Sequence, residues 1–371
     1  MSSSSPPPEP PPSTRLAEAE LRAAIRAARP LRAPVGRLPV SSKVILVGDP
    51  SRFKAAMRQL RQLGHEVVGL LSADPSRTDA DFRPLGSPQD LGLAFVFAHA
   101  PSKSFFDGAS PALAECHWLV EPGENHRSMG RDSSLMDRLG ARLAALHARL
   151  ADEESRECLA RIIRARIEGN SAYLRPSVYR QYTHPRIQAG EGDIVLDCGA
   201  FDGDSSESFA RAVGSTGHVI ALEPDAANYR ALCARIASGQ LTNITPLRCA
   251  TWMETTILRV SGKLASAAVG KGAAGTAYAP VLATTIDQIK RDLGLPRIDV
   301  IKMDIEGAEV NSLLGARETI MSDKPRLMIS AYHKPDDLVT IPELLLEMRP
   351  DYSLFLGHHN YYHTETDLYC H

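Results

Sequence analysis

The sequence contains no Cys-x-x-Cys pair, no apolar run approaching the ~20 residues that a membrane-spanning helix needs, and no excess of either charge. Each absence excludes something. The six cysteines, Cys116, Cys158, Cys198, Cys233, Cys249 and Cys370, are scattered, which speaks against a disulfide framework and a structural zinc site and leaves reduced, mostly buried thiols. A formal net charge of −2, from 42 basic and 44 acidic residues, supplies no long-range field toward nucleic acid or acidic lipid. The first residues also lack the basic and apolar blocks of a secretory signal, so the expectation is a cytoplasmic protein with neither a nucleic-acid nor a membrane partner.

At 371 residues the chain is long enough for two hydrophobic cores. Residues 1–42 read as a disordered tail, MSSSSPPPEPPPSTR, followed by a short Ala-, Leu- and Arg-rich helix over 16–28 that Pro30 and Pro34 end. Over 43–130 the runs KVILVGDP, HEVVGLL, LAFVFAHA and HWLVEPG read as four buried strands of a small Rossmann-like α/β domain. A dinucleotide site there would need three glycines at fixed offsets, but Gly48 stands alone, followed by Asp49, Pro50 and Ser51. The domain is therefore read as a scaffold or a unit for homodimerisation, with a nicotinamide-dependent oxidoreductase as the competing reading. Residues 131–178 have helical apolar spacing and read as a helical linker, with Arg161, Arg164 and Arg166 on a solvated face.

From Asp193 the elements become regular: IVLDCGAF (194–201), HVIALEP (218–224), ITPLRCAT (244–251), then after an insertion VIKMDIEG (300–307), RLMISAYH (326–333), YSLFLGHH (352–359) and TDLYCH (366–371). The last two strands are too close in the chain for a crossover helix and must pair antiparallel, which closes a mostly parallel seven-stranded sheet. In DIVLDCGAFDGDS a buried strand enters a glycine turn at the start of a helix, the place where open sheets bind ligands. The turn carries acids and no lysine, so a cationic ligand such as S-adenosylmethionine suits it better than a polyphosphate. Asp197, Gly199, Ala200, Phe201, Asp202 and Gly203 are the candidate contacts. Glu223, followed by Pro224, closes the second strand at the interval where an acid takes up ribose hydroxyls. Taken singly, Asp197 and Glu223 could equally cap turns; the ordered combination is what carries weight.

With those segments in hand, the region 179–371 resembles the FkbM family of methyltransferases in QYTHP, DIVLDCGAFDGDS, ALEPD, IKMDIEGAE, KPRLMISAYHKPDDLVTIP and the terminal HH…ETDLYCH. The resemblance implies a Rossmann-like fold, methyl transfer from S-adenosylmethionine, and acceptors that are commonly hydroxyls of sugars or natural products. One departure stands out: where relatives often have a glutamate before the histidine of the fifth strand, this chain reads Ser330-Ala331-Tyr332-His333.

Methyl transfer requires alignment of the nucleophile and removal of its proton. His333 at the end of the fifth strand, with Asp304 and Glu306 from the fourth, should face the crevice above the cofactor, His333 acting as a general base near neutral pH and Asp304 orienting it. Asp304 also counts among the cofactor contacts. Two rivals stand: a divalent metal on Asp304 and Glu306, and a non-catalytic scaffold in which these acids only organise the turn. His358, His359 and Tyr361, between the last two strands, are candidates for contacting a small-molecule or glycan acceptor.

Overall fold

The computed structural model describes residues 12–29, 43–48, 57–58, 60–62, 64–72, 94–97, 118–120, 132–169, 173–261, 268–269, 279–360 and 363–371. Two compact units divide the chain: Met1–Ala144, Glu157–Pro176 and Asn360–His363 form one, and Ala145–Arg156, Ser177–His359 and Thr364–His371 the other. The Gly-Asp-Pro turn after the first strand, Cys116 and Tyr361 lie outside the described residues.

In the first unit the opening helix spans Pro12–Ala27 and starts within the segment expected to be a tail. Proline suits a first helical turn, because its missing N–H would have no partner there, and Leu21 and Ile25 give the helix a buried stripe. Strands β1 (Lys43–Gly48), β2 (Glu66–Ser72), β3 (Ala94–Phe97) and β4 (Trp118–Val120) form a parallel sheet in the order β2-β1-β3-β4. The expected linker consists of helices Leu135–Arg149 and Glu153–Glu168. Its arginines are not a solvated face: Arg166 is buried, and Arg161 is mostly covered and donates to the carbonyl of Arg29 at 3.2 Å. Long aliphatic stems let such side chains pack while their guanidinium groups find carbonyls and carboxylates.

The second unit is built on β5 (Ile194–Cys198), β6 (His218–Leu222), β7 (Ile244–Leu247), β12 (Val300–Met303), β13 (Arg326–Ser330), β14 (Leu354–His358) and β15 (Thr366–Cys370), in the order β14-β15-β13-β12-β5-β6-β7. Six strands run in one direction, and β15, which pairs antiparallel with both β13 and β14, runs against them. Strands β5, β6 and β12 to β15 are almost wholly buried and mostly apolar, so the alternation of a half-exposed strand is absent. The run read as a single strand over 244–251 divides between β7 and β8 (Ala250–Thr251), and β8 joins β9 (Thr256–Ser261), β10 (Ala268–Val269) and β11 (Ala279–Thr284) of the insertion in a separate four-stranded sheet.

Two breaks in the apolar runs are paired by register. Lys302 in β12 lies opposite Asp197 in β5, and the ammonium is 2.9 Å from the carboxylate with both side chains almost wholly buried. Burial alone would strip the proton from Lys302, yet Asp197 and then Asp304 hold its pKa above the ordinary lysine value. The same ammonium donates to the carbonyl of Gly199 at 2.6 Å and lies over the ring of Tyr182. The other oxygen of Asp197 accepts from Ser205 and Ser206 at 2.7 and 2.6 Å. Strand β5, strand β12 and the first turn of helix Asp204–Val213 therefore meet at one carboxylate.

Substituting Lys302→Met should cost about 3–5 kcal/mol in urea unfolding, because it leaves a buried carboxylate without its counter-ion. Adding Asp197→Asn should recover part of that loss; a double variant no more stable than the single one would mean that the charge is not the cause.

Candidate active site

The parallel strands β5, β6, β12 and β13 end on the same side, and their C-terminal turns carry the candidate residues. After β5, Gly199 has φ +78°, and a Cβ there would lie 2.0 Å from the carbonyl oxygen of Asp304. Glycine is thus demanded by the approach of the β12 turn, not only by a ligand. Phe201 is also left-handed, at φ +50°, and 42% exposed.

Glu223 closes β6 and is buried. It accepts from the backbone N–H of Phe201 at 2.9 Å with one oxygen and from that of Asp225 at 2.8 Å with the other. Burial pushes its pKa above the ordinary value, against the pull of these donors. Asp225 caps the helix Ala226–Gly239 by accepting from Ala227 and Asn228, so Pro224 stands between a turn-organising acid and a helix cap. The acids of the first motif have counter-ions of their own. Asp197 is held by Lys302, and Asp202 by Arg235 at 2.7 Å.

The β12 turn brings together the three residues assigned to chemistry. His333 Nε2 is 3.4 Å from Asp304 Oδ1 and 3.7 Å from Glu306 Oε2. The carboxylate that takes Nδ1, however, is Glu309, at 2.9 Å, and not Asp304. Asp304 instead accepts from the hydroxyls of Tyr182 at 3.1 Å and Tyr332 at 3.2 Å. Both phenols are raised above their ordinary value, first by burial and then by the Asp304 charge, so they remain donors. Burial raises the Glu306 pKa, and the residue sits at φ +56° before Gly307 at φ +93°.

Burial, the largest single influence on His333, opposes its charge. Glu309, through its hydrogen bond and its charge, then Asp304 and Glu306, outweigh it and raise the pKa to about 9. The ring is consequently an imidazolium at neutral pH, where an ordinary histidine would be largely neutral.

His358 and His359 turn inward. His358 Nδ1 is 2.8 Å from the Thr366 hydroxyl, and His359 Nε2 is 2.8 Å from the Tyr369 hydroxyl. Asp367 beside them is wholly buried and bonded to Ser330, and burial followed by the charges of Glu365 and Asp304 pushes it up to about 8. Cys198, Cys249 and Cys370 are buried free thiols, each raised by burial. Among the described residues no group of three or more His, Cys, Asp or Glu is arranged to hold a metal ion, and no helix is long and apolar enough to cross a membrane.

Several of these partners went unremarked in the sequence. Lys302 and Glu309 both lie inside IKMDIEGAE, and a lysine within an otherwise apolar buried strand is itself a signal, since it requires a partner acid in register. Tyr182 and Glu365 are too far away in the chain for spacing to reveal them.

The raised pKa of His333 fixes the sign of a pH effect. Its contribution to stability is fully present below its ordinary value of 6.5 and is lost as pH rises through about 9. Urea unfolding of the wild type should weaken across that window, and a His333→Gln variant should lack that loss; parallel profiles for the two proteins would contradict the assignment.

Residues 197–360 match the sequence profile of the Methyltransferase FkbM domain. Among solved structures, the chain shares the fold of a methyltransferase FkbM from Methylobacillus flagellatus, with a TM-score of 0.58 and 21% identity over 96% of this chain and 100% of that one. More distant are fibrillarin from Aeropyrum pernix, solved with natively bound S-adenosyl-L-methionine (TM-score 0.33, 12% identity, 49% and 67% covered), and a precorrin-6y C5,15-methyltransferase from Geobacter metallireducens (0.32, 13%, 50% and 82%). No curated protein matches. The profile match is confined to residues 197–360, which are similar to the methyltransferase FkbM domain, while the shared fold extends over 96% of the chain.

Proposed function

We propose that the protein transfers a methyl group from S-adenosylmethionine to a hydroxyl of a sugar-like or natural-product small molecule or glycan. The observation that carries this reading is that Glu223, after β6, and the Asp304, Glu306 and His333 group, after β12 and β13, stand at the same end of one sheet on either side of the glycine turn that follows β5. The donor set fits a cationic cofactor. Lys302 and Arg235 are committed to Asp197 and Asp202, while Glu223, Asp304 and Glu306 supply the carboxylates. When bound, the cofactor supplies an electrophilic methyl carbon on a sulfonium.

Oε2 of Glu223 has taken one donor, the Phe201 N–H, and retains a lone pair for a ribose hydroxyl, while Oε1 is shared by the Asp225 N–H and the Asn228 amide. The Asp202 and Phe201 backbone at the glycine turn, with Gly199, Ala200 and Gly203, gives the cofactor its floor. Asp304, oriented by two tyrosine hydroxyls, and Glu306 flank His333 Nε2 and stabilise the charge that the ring gains with the proton. His333 takes the hydroxyl proton at Nε2, which requires the neutral ring. The carboxylates that raise its pKa make it a stronger base and reduce its free fraction at neutral pH, so turnover should rise toward pH 9.

Glu223→Ala should weaken S-adenosylhomocysteine binding by about 1.5–3 kcal/mol in calorimetry, the range for hydrogen bonds to a charged group. Unchanged affinity in a folded variant would remove Glu223 from the site, and NAD binding in place of S-adenosylhomocysteine would favour the oxidoreductase reading. A second test concerns chemistry: His333→Ala should lower turnover by ~10²–10⁴-fold and abolish the alkaline rise while leaving S-adenosylhomocysteine affinity intact. Full turnover under chemistry-limited conditions would leave alignment alone as the catalytic device.

A further inference from the structure

Glu309 opens the short helix Glu309–Leu314 and is 1% exposed, an unusual place for a carboxylate with no lysine or arginine bonded to it. A single oxygen, Oε1, accepts from the backbone N–H of Ile305 at 3.0 Å, from that of Gly307 at 3.4 Å, and meets His333 Nδ1 at 2.9 Å. Oε2 is buried with no hydrogen-bond donor among the described residues. That one-sided arrangement matters. The oxygen that fixes the turn carrying Asp304 and Glu306 is the oxygen that fixes the histidine ring on the neighbouring strand end.

A carboxylate accepts only, so an imidazole at Oε1 must carry its proton on Nδ1. When the ring is neutral, Nε2 is then the bare nitrogen, and Nε2 is the atom directed toward Asp304 and Glu306. Resting on the methyltransferase reading, we infer that Glu309 is the positioning residue for methyl transfer: through one buried oxygen it sets the tautomer of His333 and locks the ring to the Asp304–Gly307 turn. The groups facing the ring are Glu309 on its own helix, Asp304 and Glu306 on the turn, Tyr332 on the same strand end, and Asp337 with Lys334 at the start of the helix Asp337–Met348. None but Glu309 hydrogen-bonds Nδ1.

The geometry separates two variants. Glu309→Gln can keep its carbonyl oxygen at the Oε1 position and retain all three bonds, while losing the charge. Glu309→Ala removes the acceptor altogether. The measurement is ¹⁵N NMR of the imidazole nitrogens in the full-length protein without acceptor, with His333→Asn identifying the resonances. At a pH where the ring is neutral, the wild type and Glu309→Gln should show the Nδ1–H tautomer. Glu309→Ala should relax toward the Nε2–H form that predominates in free imidazole side chains. If Glu309→Ala does not fold, Glu309→Gln still decides: the neutral ring should appear at lower pH than in the wild type with its tautomer unchanged.

Ring signals identical in all proteins, or an Nε2–H tautomer in the wild type, would overturn the inference. S-adenosylhomocysteine binding, followed by calorimetry on the same samples, reports separately on the methyltransferase reading. Its absence from the wild type would end that reading without touching the tautomer result.

Discussion

The ion pair between Asp197 and Lys302 is the constraint on which the second unit depends. Two opposite charges on adjacent central strands must leave water together, since either alone would be left with an uncompensated charge in an apolar sheet. Strand register follows, because a slip of one residue would turn the two side chains to opposite faces. The ammonium also holds the carbonyl of Gly199 and packs over Tyr182, so the interaction that aligns the sheet also sets the height of the glycine turn. Apolar residues in these places would pack as well, and by general experience at no cost in stability. They would not, however, tie the turn after β5 to the strand that delivers Asp304.

At the strand ends the same logic recurs with weaker acids and bases. Asp304 is bound by two phenols, His333 by Glu309, and Glu223 by two backbone donors, so each group is fixed by something other than a ligand. Preorganisation of this kind spares a site the reorganisation that flexible groups would need at the moment of reaction. It also explains why the pKa of Glu223 and that of His333 move in the direction of holding a proton: burial favours the neutral acid in the first case, and surrounding carboxylates favour the cation in the second.

Much of this fold was legible in the sequence because the apolar runs of β5, β6, β12 and β13 are long enough, and their turns acidic enough, to be placed without coordinates. The closing hairpin followed from the short separation of its strands. The small sheet β8 to β11 was not legible, because β8 and β10 have only two residues each and leave no pattern to read. Site residues divided along similar lines. Glu223, Asp304 and His333 stand at strand ends and were visible; Arg235, which neutralises Asp202, lies on a helix face that nothing in the first motif points to. The reason for Gly199 was also hidden, since the atom that excludes a side chain there belongs to the backbone of Asp304. Charge read along a chain counts acids, whereas the folded surface shows only those left uncompensated.

Among the described residues six other than glycine adopt left-handed backbone, and two of them, Gln240 and Lys324, are ordinary helix C-caps. The other four, Tyr182, Phe201, Glu306 and Glu365, belong to the segments around the strand ends. A conformation that side chains resist costs on the order of 1–3 kcal/mol at each position. Glycine or asparagine would relieve that strain, so these positions offer a ready supply of stabilising substitutions. In an engineering campaign selecting for heat resistance alone, they are the places where improved variants would accumulate and where the arrangement around Asp304 would erode first. The fold thus keeps its margin for adaptation in the same backbone that shapes its chemistry.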